Sequence, residues 1–338
     1  MSTGDVLGAG TVVTVVFELE VPLLLLQARS FARHVPVGAV AEVLVIDDTA
    51  RGLPARGAAE LLAAYGPHAD RVTLLRPDDL GGVPAAPGWQ RQQALKLLVA
   101  PRVTTGRYLA LDAKNHLVRA PDPAWFGVPD GRARLGVHGY AGHPLRPALE
   151  RTVRYLGLDP GAVLDRFPAT VTPFVLVTSL VRAMVEDVGD RAGRPFAQEF
   201  VDHRLTEFFL YAAWLEARAG GRDRWYADGQ PGCPVVWPGD PSLRAVRAAG
   251  EELDGTGAPV LSVHRTALVR MPADATDALT DLWVAHGLFA ARGDAARFVA
   301  GFRRTYRRRV WVRRCREAPQ RVRARLADRA TAAGAVPA

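Results

Sequence analysis

The sequence predicts an α/β fold: a mixed, mostly parallel sheet flanked by helices, with a basic helical extension at its C-terminal end. Three observations predict it. Short β-branched runs alternate with helix-length apolar segments from Thr11 to Leu111. Acidic residues stand where two of those runs end. Arginine crowds the last part of the chain.

Thr11 to Phe17 (TVVTVVF) is β-branched and reads as a buried strand. Leu23 to His34 follows with helical spacing. Glu42 to Ile46 (EVLVI) is a second strand and runs into Asp47-Asp48. Ala55 to Tyr65 is a helix, Arg71 to Leu75 a third strand, and Pro77 to Pro87 a Pro/Gly loop. Gly88 to Leu98 is a helix, and Arg107 to Leu111 (RYLAL) is a fourth strand that ends on Asp112. Strands alternating with helices imply a parallel sheet covered on both faces. Ligands of such sheets sit at the carboxyl ends of the strands, where Asp47, Asp48 and Asp112 stand. Beyond Pro121 the pattern loosens. Val171 to Val177 is a strand that Pro173 marks as an edge. Leu180 to Val188 and Val201 to Ala217 read as helices. Val260 to Val263 (VLSV) is a late strand leading into His264, and Ala295 to Leu326 is a basic helix. The Ala-rich tail from roughly residue 328 is expected to be disordered. The chain thus divides into an α/β domain over 1–290 and a basic extension over 291–338.

Apolar residues make up 49% of the 338 and charged residues 23%, which excludes disorder for most of the chain. No signal peptide is expected, because Met1 to Gly10 has no basic region and Glu18 and Glu20 interrupt the apolar stretch after it. No window offers the roughly 20 apolar residues of a membrane helix. Cys233 and Cys315 make neither a disulfide framework nor a metal cluster, which fits a reducing cytoplasm. The net charge of +8 admits phosphate-bearing partners. Of 43 basic residues 41 are Arg; only Lys96 and Lys114 are Lys, and Asn115 and Ile46 are alone of their kinds. A GC-rich genome accounts for the bias. Yet three of those four fall between 96 and 115, which suggests a need for their chemistry, since Arg does not replace the compact charge of Lys.

Five segments carry candidate chemistry. In Tyr108-Leu109-Ala110-Leu111-Asp112-Ala113-Lys114-Asn115-His116 an apolar strand runs straight into a polar cluster. The alternative is a turn in which Asp112 and Asn115 bond the local backbone. On a helix over Gly88 to Leu98, Trp89, Gln92 or Gln93, and Lys96 share a face that can look onto a cleft, and the helix start favours an anion. A solvated amphipathic helix is the plainer reading. Glu207 lies among Phe208, Tyr211 and Trp214, surroundings that raise a carboxyl pKa and suit a general base; an exposed surface Glu is the competing reading. His264 ends a strand, and neutral His is a good divalent ligand. Arg303 to Arg314 interleave with Phe302, Tyr306, Val310 and Trp311, which points to an anionic membrane surface more than to nucleic acid. A helix packed by Phe298, Phe302, Tyr306 and Val310 explains the same run.

The YLxLD strand end resembles the D-x-D region of nucleotide-sugar glycosyltransferases of the GT-A type. With the preceding helix it is similar to a bacterial family of uncharacterised GT-A-like proteins, in which GWxxQQxLK precedes a YLxLDAxN strand end. The likeness spans roughly residues 11 to 215. It implies a GT-A-like, Rossmann-like fold and a hexosyltransferase-like enzyme (EC 2.4). Such an enzyme moves sugar from a nucleotide-diphosphate donor to an acceptor hydroxyl in polysaccharide, surface-glycan or glycosylated-metabolite synthesis. Thr14, Glu18, Asp47, Asp48, Trp89, Gln92, Gln93, Lys96, Asp112 and Asn115 would bind the donor. Glu207, in a stretch similar to that family's S/T-E-[FY]-x-L-Y helix, would take the acceptor's proton, and Lys114 would assist departure of the diphosphate. A manganese or magnesium ion would be held by Asp112 and His264, although Lys114 stands where D-x-D has its second acid. The expected setting is the cytoplasm, peripheral at the inner membrane face. The competing readings are a sugar nucleotidyltransferase, for which the Gly-rich basic loop after the first strand is missing, and a non-catalytic basic binding protein.

Overall fold

The computed structural model describes residues 10–333, with side chains through residue 312. The tail beyond Ala333 and the side chains of Arg313, Arg314 and Cys315 lie outside the described residues.

Strand β1 (Gly10–Val16) is buried along its whole length, as a central strand covered on both faces must be. Helix α1 (Val21–His34) opens with Pro22, whose fixed φ suits a first turn. Then follow β2 (Val40–Asp47), α2 (Ala55–Tyr65), β3 (Val72–Leu75), α3 (Gly88–Leu98) and β4 (Arg107–Asp112). β1 pairs in parallel with both β2 and β4, and β2 with β3. The chain turns at once into β5 (Asn115–Leu117). It then runs through α4 (Pro123–Phe126), β6 (Ala133–Leu135), β7 (Val137–His138), α5 (Arg146–Tyr155) and β8 (Phe167–Pro168). β9 (Phe174–Val177) joins β4 antiparallel and completes a sheet of order β3-β2-β1-β4-β9. Pro173 precedes it at the sheet's edge, where a missing N–H breaks no ladder. The architecture is the expected one: a mixed, mostly parallel sheet flanked by helices.

After α6 (Thr178–Ala192), the single helix expected over 201–217 is two, α7 (Phe196–Asp202) and α8 (Glu207–Arg218). Arg204 in the break has a φ of 50°, a left-handed conformation that ends a helix. Glu207 is therefore the first residue of α8, and its side chain sits at a helix head and not on a flank.

β10 (Tyr226–Asp228) pairs in parallel with β6 and buries Tyr226 in the core of the main sheet. The remaining elements build a second core: β11 (Val235–Val236), α9 (Leu243–Thr256), β12 (Val260–Val263), α10 (Arg265–Arg270), α11 (Ala273–Ala285) and α12 (Arg292–Ala333). β12 pairs with β11 in parallel and with β5 antiparallel. Val236, Leu261, Val263, Leu268 and Trp283 pack there with Leu23 and Leu26 of α1. Ala295, Val299 and Phe302 of α12 belong to the same core, so packing runs on without a break through residue 290. Arg303 does not join a free basic face: it donates to the carbonyls of Leu268 (2.9 Å) and Met271 (2.7 Å), holding the end of α10. α12 continues past Leu326 to Ala333. Among the described residues no helix is long and apolar enough to cross a membrane.

Candidate functional site

Only Ala113 and Lys114 separate β4 from β5, so the turn is tight and needs tethers. Asn115 Oδ1 accepts from the Asp112 N–H at 2.7 Å. Gln27 of α1 donates from beneath to the carbonyls of Asp112 (2.8 Å) and Asn115 (2.9 Å) and accepts from the Thr14 hydroxyl at 2.9 Å. Thr14 and Asn115 are fully buried in this network. They were expected to touch a donor; instead they shape the turn that presents Asp112 and Lys114.

That turn forms part of the wall of a cavity of about 730 Å³ at the carboxyl ends of β1, β2 and β4. Of the expected residues, Glu18, Asp48, Trp89, Gln92, Asp112, Lys114 and His264 line it. Asp47 does not. It is buried, accepts from the N–H groups of Thr49 and Leu53, and pairs with Arg76 at 3.0 Å, so it builds the loop after β2. Gln93 lies outside the lining as well, its Oε1 buried without a partner. Asp48 is held bidentately by Arg91 at 2.6 and 3.2 Å.

Lys96 corrects the amphipathic reading of α3. It is not on a cleft-facing polar stripe but 2% exposed, on the buried face with Ala94, Leu95 and Leu97. A buried ammonium needs partners. Lys96 Nζ donates to Asp112 Oδ1 at 2.5 Å and lies 3.4 Å from Glu207 Oε1. Lys114 Nζ takes the other oxygen, Asp112 Oδ2, also at 2.5 Å. Burial works to raise the Asp112 pKa, but the two ammonium groups outweigh it and hold the carboxyl well below the usual range. Burial alone would lower Lys96; Asp112 and Glu207 outweigh it and raise it. Glu207 is raised, because burial exceeds the attraction of Lys96. Its Oε2 is buried with no hydrogen-bond partner.

A smaller cavity of about 50 Å³ lies against this group, lined by Lys96, Asp112, Lys114, Thr172, Glu207 and Trp237 among others. The two cavities share Asp112 and Lys114. Trp237, 48% exposed, places its ring 5.8 Å from Lys114 Nζ.

The donor set does not fit a divalent ion. Both Asp112 oxygens already accept from ammonium groups. His264 uses Nδ1 to accept from the Thr266 N–H at 3.1 Å, as the cap of α10. Among the described residues no cluster of three His, Cys, Asp or Glu side chains could hold a metal. Hard cations want several oxygen ligands, and this turn offers one carboxylate flanked by two positive charges. The structure thus assembles no ligand set around the expected pair of Asp112 and His264 among the described residues.

Sequence reasoning missed several wall residues. Arg265 pairs with buried Glu20 at 2.6 Å, and its guanidinium lies 5.0 Å from the Phe17 ring centroid. Glu20 could have been flagged as an acid inside an apolar run. No local pattern reveals that its partner stands 245 residues away. Arg76, Arg91 and Trp237 are read locally as ordinary loop and helix residues, and only tertiary contact brings them to the cavities.

A family profile described as a family of unknown function (DUF6492) matches residues 80–235, a span that contains Lys96, Asp112, Lys114 and Glu207. No curated protein sequence matches the chain. Solved structures similar to it are glycosyltransferases. The galactosyltransferase LgtC, in complex with donor and acceptor sugar analogues, is 12% identical with a TM-score of 0.49, covering 81% of this chain and 95% of its own. Glucosyl-3-phosphoglycerate synthase from Mycobacterium tuberculosis, with Mn2+, UDP and phosphoglyceric acid, is 14% identical with a TM-score of 0.37, covering 82% and 78%. The glycosyltransferase GlyE of Streptococcus pneumoniae TIGR4 is 10% identical with a TM-score of 0.41, covering 86% and 62%.

Proposed function

We propose that this chain is a glycosyltransferase that moves a sugar from a nucleoside-diphosphate donor to an acceptor hydroxyl. The observation that carries the proposal is Glu207 Oε2, a buried carboxylate oxygen without a partner beside the pair that joins the two cavities. Burying such an oxygen unbonded costs about 1–3 kcal/mol, which a ligand hydroxyl would recover. The larger cavity suits the nucleotide, with Trp89 and Asp48 on its wall. The sugar then reaches past Asp112 and Lys114 toward Glu207. The acceptor oxygen bonds to the anomeric carbon, and its proton passes to Glu207. The bond from that carbon to the diphosphate oxygen breaks, and the nucleoside diphosphate departs with the bonding pair.

Glu207 works as a base only when ionised, and burial raises its pKa. Transfer should therefore fall as pH drops through a midpoint above the ordinary glutamate range. Glu207→Gln should lower the transfer rate by about 10²- to 10⁴-fold while donor binding persists. Assays with UDP-, GDP- and dTDP-sugars read both quantities. A variant that turns over like the parent removes Glu207 from the chemistry.

The second part of the proposal is peripheral contact with an anionic membrane surface through α12. Residues 292–338 carry 14 Arg and three acids, a net +11, which leaves −3 for residues 1–291. Arg304, Arg307 and Arg308 are exposed, and Trp311 is 66% exposed among them. Exposed Arg beside an interfacial aromatic suits a lipid headgroup layer.

A further inference from the structure

We infer that the chain's two lysines stand in for a divalent ion: Lys114, held by Asp112 and backed by Lys96, neutralises the departing diphosphate without a metal. The inference rests on the glycosyltransferase reading above and sharpens its diphosphate end.

Of 43 basic residues only two are lysine, and both donate to one carboxylate. Each bond is 2.5 Å long, and each uses a different oxygen of Asp112. The charge of this unit matches what it would replace. A divalent cation on one carboxylate has a net charge of +1; two ammonium groups on one carboxylate also have +1. The chemistry explains why Arg is absent from both positions. A guanidinium is a broad planar fork that tends to take both oxygens of a carboxylate at once. Two ammonium groups can each take one oxygen and still keep donors to spare.

The two lysines are not equivalent. The Lys96 side chain is 3% exposed; it borders the smaller cavity and is absent from the wall of the larger one, which it reaches only through Asp112. The Lys114 side chain is 16% exposed and lines both cavities. Its ammonium has three donors, of which Asp112 uses one, and a phosphate oxygen can take another. Lys114 is thus the contacting charge, and Lys96 is a positioning residue that anchors Asp112 from inside the protein. Asn115 and Gln27 fix the backbone of the same turn, so the charge is set in place before any ligand arrives.

The test is titration calorimetry on the full chain with UDP, GDP and dTDP, each in EDTA and again in manganese. One of them should bind in EDTA with an affinity that manganese leaves unchanged. Lys114→Gln should bind it about ten- to a hundredfold more weakly, and Lys114→Arg should restore only part of the loss. Manganese alone should give no saturable binding that Asp112→Asn removes. Binding that requires manganese, or a Lys114→Gln variant as tight as the parent, overturns the inference and leaves the glycosyltransferase reading standing. No binding of any of the three in either condition overturns that reading, and this inference with it.

Discussion

His116 ties the turn to the second core, and its two nitrogens have different partners. Trp283 Nε1 can only donate, and it reaches Nε2 at 2.8 Å. The Lys114 carbonyl can only accept, and it lies 3.3 Å from Nδ1. The neutral ring with its proton on Nδ1 satisfies both. Burial lowers its pKa from 6.5 to about 4. Between those values the unfolded chain binds the proton and the folded chain does not. The stability His116 contributes is therefore complete above about pH 6.5 and is lost as pH falls toward 4. His116→Gln keeps a donor and an acceptor but does not titrate. Its melting temperature should fall less steeply from pH 7 to pH 4.5 than the parent's; parallel curves would remove His116 from the pH response. Glu207 and Lys96 belong to the same scale. The apolar neighbours of Glu207 pointed to a raised pKa, and the structure agrees in direction. Lys96 gave no sign of burial, because a lysine at helical spacing ordinarily keeps its charge in water.

At the scale of elements, α1 does more than cover the sheet. It delivers Gln27, 0% exposed, to β1 and to the turn between β4 and β5. Gln27→Leu fills similar space but leaves the Thr14 hydroxyl and two carbonyls without this partner. The fold should lose about 3 kcal/mol in urea unfolding, and nucleotide affinity should drop with it because the turn loosens. A loss below about 0.5 kcal/mol would mean that the turn holds itself. Most elements were legible before the fold was seen. The apolar runs starting at Thr11, Glu42 and Arg107, the last two ending on acids, became β1, β2 and β4, because alternating strands and helices leave few topologies. The division between α7 and α8 was not legible. Residues 201–217 have helical composition throughout, and a left-handed Arg204 has no signature of the Gly or Asn kind. That break decides where Glu207 sits, so the sequence placed the acid near the site but not at the head of a helix.

At the scale of the whole molecule, charge and packing divide differently. Charge separates residues 1–291 from the rest, whereas the second core takes in α12 through Phe302. A chain ending at Val312 keeps Ala295, Val299 and Phe302 and loses seven Arg. It should fold and bind nucleotide as the parent does. Its sedimentation with phosphatidylglycerol vesicles should fall sharply, at about 1 kcal/mol per Arg near the surface. Equal sedimentation would leave α12 without a membrane role, and a preference for duplex DNA would assign it another. Contacts of this scale were the least legible. The pairing of Glu20 with Arg265 and of His116 with Trp283 joins distant segments, and single-sequence periodicity carries no information about which distant residues meet. The scarcity of lysine has a practical consequence of the same reach. A protease that cleaves only after lysine has two bonds to attack in 338 residues. One lies within α3 after a buried Lys96, and the other enters β5 at a fully buried Asn115. Neither can reach a protease cleft until the floor of the site comes apart, so limited digestion with such an enzyme times the opening of that floor and nothing else in the chain.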